Sequence, residues 1–336
     1  MSSVYYRPIL RHDPVRPEGA LSLAGGWCWF DMVERLERGG PGRLLPVAEL
    51  PEEVRTRLTA PRPAIAGLGF DQPRLMGILN VTPDSFSDGG QFFDPSDALA
   101  HARAMRAEGA EIIDVGGEST RPGATDVPVA EEISRTAPVI RAIRGDMDLP
   151  ISIDTRKAPV AREAHAAGAD LVNDVAGFTF DPELAPFCGA AGLPVCVMHA
   201  QGTPDIMQKD PRYDDVALDV YDYLAERIAA LESAGVPRAA ILTDPGIGFG
   251  KTQAHNLTLL RNLSLFHGLG CAILLGVSRK RFIGEIGGTG EGAERMPGSV
   301  AVALAGVAQG VQVLRVHDVG AHRAALALWR ASAGLA

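Results

Sequence analysis

From residue 75 onward, short apolar runs alternate with longer amphipathic segments. The runs fall at residues 75–81, 111–115, 150–154, 170–175, 194–198, 240–244, 271–277 and 311–316. They are rich in Val, Ile and Leu, the pattern of strands buried on both faces. The segment after Asp214-Asp215 puts Val216, Val220, Leu224, Ile228 and Leu231 on one helical face. Asp94-Pro95 opens an earlier helix with an acid at the N-cap and proline in the first turn. Gly109, Gly168, Gly192, Gly235 and Gly310 each stand shortly before a new strand, where glycine can end a helix. One strand–helix unit used about eight times predicts an α/β fold, a (β/α)8 TIM barrel. An open doubly wound sheet is the alternative. About eight units in roughly 260 residues favour the barrel.

Residues 1–70 do not follow this rhythm and are read as a short N-terminal extension, with the barrel over 71–336. The extension is rich in Pro and Arg and carries Gly25-Gly26 and Gly39-Gly40-Pro41-Gly42. Short helices are expected at 29–38 and 50–58, with Trp27, Trp29 and Phe30 as anchors to the barrel. The sequence assigns this segment no function.

Composition narrows the classes. The 336 residues are 46% hydrophobic and 22% charged, ordinary globular values with enough chain for a large core. A formal net charge of -9 argues against a nucleic-acid partner. Cys28, Cys188, Cys196 and Cys271 form no CxxC pair, so neither a zinc site nor a redox motif is expected. Cys196 and Cys271 sit in apolar runs and read as buried thiols, which fits a reducing compartment. Arg7, Arg11, His12 and Asp13 interrupt the N-terminus, which has no signal-peptide pattern. The most apolar stretch, residues 299–316, is broken by Gln309-Gly310 and Gln312 and does not read as a membrane span. A cytoplasmic protein is expected.

The conspicuous polar residues gather at the C-terminal ends of the predicted strands, where a barrel places its active site. In chain order these are Asn80, then Asp114 leading to the segment Gly116 through Gly123, then Asp154-Thr155 and Asn173-Asp174. Met198-His199, Asp244 through Lys251, Ser278-Arg279-Lys280, and Arg315 with His317-Asp318 follow. Each has a plain structural alternative. Asp154, Asn173 or Asp244 could cap the next helix. His199 could be a hydrogen-bonded core histidine, Arg315 the partner of a structural carboxylate, and the 246–250 glycines only a turn. Together, such groups on nearly every strand end would be costly to bury unless they served a polar ligand. Asp154, Asn173, Asp244 and Lys280 suit a flat heterocycle with a donor-and-acceptor edge, and an arginine can stack on its face. Asn80, Arg315 and His317 suit a diphosphate, with Asn80 able to contribute an oxygen to a magnesium ion.

These residues resemble the dihydropteroate synthase family. The resemblance rests on 76–90, on Asp114 through Gly123, and on Ser152-Ile153-Asp154-Thr155. Asn173-Asp174, Met198-His199, Asp244 through Lys251, Ser278-Arg279-Lys280 and Arg315-Val316-His317-Asp318 extend it, so that it spans about residues 72–334. It implies a barrel, usually homodimeric, that joins 6-hydroxymethyl-7,8-dihydropterin diphosphate to p-aminobenzoate. By motif, Asp154, Asn173, Asp244 and Lys280 would hold the pterin, Arg315 would stack on it, and Val175, Met198, Gly248 and Phe249 would line its pocket. Asn80, Arg315 and His317 would hold the diphosphate, with Asn80 on Mg2+. Thr120, Arg121, Pro122, Phe249, Ser278 and Lys280 would border the aminobenzoate site, where sulfonamides bind in the family. Asp154, Lys280, Arg315 and His317 would carry the catalysis.

Residues 81–94 and 118–127 read as mobile loops that close over diphosphate and form the aminobenzoate pocket, given Gly89-Gly90, Pro122-Gly123 and the placement of Arg121. Arg281 stands where several relatives carry serine, and it would either meet the aminobenzoate carboxylate or point to solvent. Two rivals remain. A pterin-binding methyltransferase shares the barrel, but the Ser119–Pro122 and Ser278–Lys280 segments argue for the synthase. A barrel kept only for binding is opposed by intact Asn80, Arg121, Asp154, Lys280 and His317.

Overall fold

A computed structural model of the chain describes residues 4–82, 95–119, 126–202 and 210–335. The N-terminal layer opens with β1 (Val4–Pro8), β2 (Leu21–Ser22), β3 (Trp29–Phe30), β4 (Met32–Glu37) and β5 (Arg43–Pro46). Helix α1 (Glu52–Thr59) closes it. Strands β1, β4 and β5 form an antiparallel sheet, and β2 pairs with β3.

The helix expected at 50–58 is present as α1. The helix expected at 29–38 is not: that stretch forms β3 and β4. The reason is pairing. Strand β4 is bonded on both sides, by β1 and by β5 across the glycine-rich turn. Val33 is fully buried there, and Arg7 Nε donates to Glu34 Oε2 at 2.7 Å in the register that sets the two residues opposite. Such cross-strand pairs stabilise a sheet. Of the three expected anchors, Trp27 reaches the barrel, donating from Nε1 to Val307 O at 2.9 Å. Trp29 instead donates to Asp13 O, and Phe30 is buried in the layer's own core with Leu23, Val33 and Leu58.

Eight parallel strands then alternate with helices. They are β6 (Arg74–Asn80), β7 (Ile112–Gly116), β8 (Ile151–Asp154), β9 (Leu171–Asp174), β10 (Val195–Met198), β11 (Ile241–Asp244), β12 (Ala272–Leu275) and β13 (Val313–Val316). Among the described residues they close into a barrel, with β13 pairing back onto β6. The outer helices are α2 (Pro95–Glu108), α3 (Val129–Asp146), α4 (Ala158–Ala167), α5 (Leu184–Ala191) and α6 (Val216–Ser233). They continue as α7 (Gln253–Arg261), α8 (Arg281–Gly287), α9 (Met296–Val307) and α10 (Val319–Ser332). The helical face expected after Asp214-Asp215 is α6, and Asp215 caps it, accepting from Ala217 N and Leu218 N. The glycines expected to end helices all take positive φ. Asp94, the cap expected for α2, lies outside the described residues.

Strand periodicity divides each run between two cores. Ile113, Val115, Ile151, Ile153, Val172, Val195, Val197 and Ile241 point outward to the helices. Met76, Ile112, Leu171, Cys196, Leu242, Ala272 and Val313 belong to a separate inner cluster. Ile65 and Phe70 join that inner cluster from the connection before β6 and plug the barrel's N-terminal mouth. Two or four residues further along β6, β7, β9, β11 and β13, the inward positions become Asn80, Asp114, Asn173, Asp244 and Arg315, and on β8 Asp154 stands level with Asn173. At about 3.3 Å per residue, this sets a polar layer above an apolar floor. All four cysteines are buried and free, as read for Cys196 and Cys271. No helix among the described residues is long and apolar enough to cross a membrane.

Candidate active site

Sheet register assembles the site. Asn80, Gly116, Asp154 and Asn173 are successive partners across β6 to β9, so their side chains open into the same end of the barrel. Gly116 has no side chain between its neighbours. A Cβ there would lie 3.5 Å from Asn80 Oδ1 and 3.8 Å from Asp154 Oδ2. The glycine therefore keeps a gap between two hard oxygens. On the opposite wall, Met198 is the partner of Asp244.

Arg315 crosses this layer from β13. Its Nε donates to Asp114 Oδ2 at 2.5 Å and its Nη2 to Asp154 Oδ2 at 2.8 Å. Asn173 Nδ2 donates to the same Asp114 oxygen at 3.2 Å. Arg315 thus pairs with two carboxylates that stand within the site, and neither Asp154 nor Asn173 serves as a helix cap. Burial drives the Asp154 carboxyl up to about 7. Arg315 opposes that shift, while Asp114, Asp174 and Glu132 add to it. Asp174, beside Asn173, is also raised by burial to about 7, though it accepts the Ala176 and Phe178 amides at 2.6 and 2.7 Å.

Lys280 precedes α8. Its Nζ donates to Ile247 O and lies 4.7 Å from the centre of the Phe249 ring. Burial lowers its ammonium to about 8; Asp244 opposes the shift and Arg315 adds to it. Asp244 is raised by burial and accepts the Gly246 amide at 2.7 Å. Val175, Gly248 and Phe249 are partly exposed at the strand ends, while Met198 is buried. Ser278 Oγ lies 2.9 Å from His317 Nδ1 and accepts the His317 amide at 3.2 Å, joining the ends of β12 and β13. His199 is the buried core histidine of the plainer alternative, its Nδ1 2.8 Å from Lys251 Nζ. Burial and Lys251 depress its pKa to about 2.

The structure therefore gathers Asn80, Asp154, Asn173, Asp244, Lys280, Arg315, Ser278 and His317 at one end of the barrel. Thr120, Arg121 and Pro122 lie outside the described residues, as does most of the two expected loops. Arg281 points to solvent, with its side chain 87% exposed and its Nε 2.6 Å from Glu285.

Two features escape sequence reading. Asp114 was legible only as a polar residue within its run, yet it is the fully buried carboxylate that Arg315 and Asn173 share. A buried ion network also stands behind Asp154. Lys157 Nζ donates to Glu132 Oε2 at 2.8 Å, Glu118 Oε1 at 3.2 Å and Val127 O at 2.6 Å. Glu118 also accepts from Arg156 and from the Val127 amide. The two ends of the segment that runs from Glu118 to Val127 are tied by one carboxylate. The Thr-Arg-Lys run after Asp154 was a possible signal for this network.

A closed (β/α)8 barrel with carboxylates, an amide, a lysine and an arginine gathered at its strand ends defines a small-molecule enzyme that grips a polar ligand from several sides. Residues 76–317 match the family described as "Pterin binding enzyme". Dihydropteroate synthase from Escherichia coli strain K12 is 48% identical over 252 residues, covering 75% of this chain and 89% of the relative. Dihydropteroate synthase from Xanthomonas albilineans, solved with 4-aminobenzoic acid, superposes with a TM-score of 0.76 at 46% identity and covers 81% of this chain and 98% of its own. The Yersinia pestis dihydropteroate synthase, solved as a sulfonamide drug complex, has a TM-score of 0.76 at 43% identity, covering 80% of this chain and 96% of its own. The chain belongs to the dihydropteroate synthase family of pterin binding enzymes.

Proposed function

We propose that this enzyme condenses 6-hydroxymethyl-7,8-dihydropterin diphosphate with p-aminobenzoate, giving 7,8-dihydropteroate and diphosphate. The observation that carries the reading is the Asp114–Arg315–Asp154 bridge, with Asn173 beside it and Asp244 and Lys280 on the opposite wall. This arrangement offers carboxylate acceptors, an amide and two cationic donors to the edge and face of one flat heterocycle.

The chemistry asks for little covalent help. The bond from the pterin methylene to the diphosphate oxygen breaks, and the electron pair leaves with diphosphate. The electron-rich pterin ring stabilises the methylene cation, with Asp154 as a nearby negative charge. The arylamine nitrogen attacks that carbon and releases its proton. Arg315 and His317 face the charge developing on the leaving group. Phe249, Ser278 and Lys280, with Thr120, Arg121 and Pro122, border the aminobenzoate.

Asn80 is the residue that would hold magnesium. Asn80 Oδ1 and Asp154 Oδ2 both border the space above Gly116, 3.5 and 3.8 Å from where a Cβ on that glycine would stand, and hard oxygen donors are what this ion takes. When bound, the ion neutralises charge on the leaving diphosphate. Sulfonamides would compete at the aminobenzoate site, as the Yersinia pestis complex suggests. We place the reaction in the cytoplasm and the enzyme in a homodimer. The test of function is detection of 7,8-dihydropteroate by mass when the purified enzyme receives both substrates with magnesium. Failure to form it would sink the synthase reading.

A further inference from the structure

A second lysine stands behind the pocket. Lys251 is only 3% exposed. Its Nζ donates to Gly246 O at 2.8 Å, Phe249 O at 3.0 Å and His199 O at 3.3 Å, and lies 2.8 Å from His199 Nδ1. An ammonium has three N–H donors and no acceptor. Burial pushes the Lys251 amine well below the usual lysine range, Asp244 opposing the shift and Lys280 adding to it, so the charged form rests on this surround of acceptors, with His199 Nδ1 unprotonated. The Tyr223 and Tyr213 rings pack against His199, with centroids at 4.8 and 5.9 Å.

The three carbonyls belong to the two segments that build one wall of the pocket. The turn from Gly246 to Gly250 has Lys251 on its core side and Lys280 on its pocket side. Lys280 takes Ile247 O, while Lys251 takes the flanking Gly246 and Phe249 carbonyls. The fit against His199 is close. A Cβ on Gly246, whose φ is +68°, would lie 1.8 Å from His199 O. The same turn is tied to Asp244, whose Oδ1 accepts the Gly246 amide at 2.7 Å.

We propose that Lys251 is a positioning residue for the pterin site, fixing the Gly246–Gly250 turn from behind and acting as a fixed counter-charge to Asp244. The inference rests on the pterin reading given above. Asp244 must be ionised to accept two N–H bonds from a pterin edge. Burial opposes that ionisation; Lys280, the Gly246 amide, Lys251 and Arg315 favour it. Cys196 shares its surroundings, as do Asp114 and Asp154 across the barrel. Lys280 and Arg315 also face the ligand. Lys251 does not, so its charge serves the wall whether or not a ligand is bound.

The experiment is calorimetric binding of 6-hydroxymethylpterin diphosphate to the full chain across a pH series, with circular dichroism as the check on folding. Wild-type protein binds the probe and loses affinity at low pH. In Lys251→Met the affinity falls about tenfold or more, and the acid limb moves to higher pH because Asp244 protonates more readily. In Lys251→Arg the affinity also falls, since a planar guanidinium cannot meet the same convergent carbonyls, but the limb stays in place. Lys251→Arg carries the test alone if Lys251→Met does not fold. An unmoved limb in Lys251→Met, or wild-type affinity in Lys251→Arg, overturns the proposal. A wild-type protein that binds no probe would instead overturn the pterin reading itself.

Discussion

Arg315 reaches Asp114 across the floor of the pocket, Nε to Oδ2 at 2.5 Å, and Asp114 is fully buried. The pair fixes the guanidinium so that its other edge meets Asp154 at 2.8 Å. Removing one partner of a buried pair leaves a charge with neither water nor a counter-ion. Arg315→Ala is therefore expected to destabilise the protein by about 3–5 kcal/mol in urea unfolding, besides abolishing turnover. A loss under about 1 kcal/mol, the size of a surface pair, would show that Asp114 is not held by this contact.

Asp154 makes the stability of the protein depend on pH. Its folded pKa, about 7, stands above the ordinary 3.8. Between those values the folded protein keeps a proton that the unfolded chain has lost. Stability from this group therefore falls as pH rises from near 4 through 7, and the cost is complete above 7. Asp154→Asn removes the titration. It should gain stability relative to wild type on going from pH 4 to above pH 7. Its turnover should fall. Parallel pH–stability curves for the two proteins would contradict the assignment.

Lys280→Ala should lower turnover by about 100-fold to 1,000-fold, the scale of removing one preorganised charge or donor. The ammonium is lowered to about 8, so wild-type kcat/KM should decline as pH rises through that region. Near-normal turnover in the variant would remove Lys280 from the site.

The barrel's lower mouth is closed by Phe70 and Ile65. Phe70→Ala should cost about 3–5 kcal/mol, with the apolar floor opened to water. The rest of the N-terminal layer is held by Tyr5 on Asp222, Trp27 on Val307 and Arg62 on His267. None of these contacts involves a residue of the polar pocket. Deletion of residues 1–60 should lower thermal stability and solubility yet keep the turnover of each folded molecule. A soluble, folded truncation without turnover would show that the layer serves the chemistry.

The barrel was legible because its strands are buried on both faces. Each run of Val, Ile and Leu marked a strand to within a residue or two at most ends, and glycine marked the helix ends. The polar strand ends were legible for the same reason: Asn80, Asp154, Asn173 and Asp244 interrupt runs that are otherwise apolar. Asp114 was harder to read as functional because its partner, Arg315, lies 201 residues away. The Glu118–Lys157–Glu132 network likewise depends on three separate segments folding together. Residues 29–38 misled because Trp29, Val33 and Leu36 also match a helical spacing. Long-range pairing with β1 decided for strand, and periodicity alone does not contain that partner.

The most direct test of the central claim is the release of diphosphate from 6-hydroxymethyl-7,8-dihydropterin diphosphate, measured with and without p-aminobenzoate and magnesium. The account predicts that release requires both additions and matches the 7,8-dihydropteroate formed mole for mole. No release, or release indifferent to p-aminobenzoate, would contradict it.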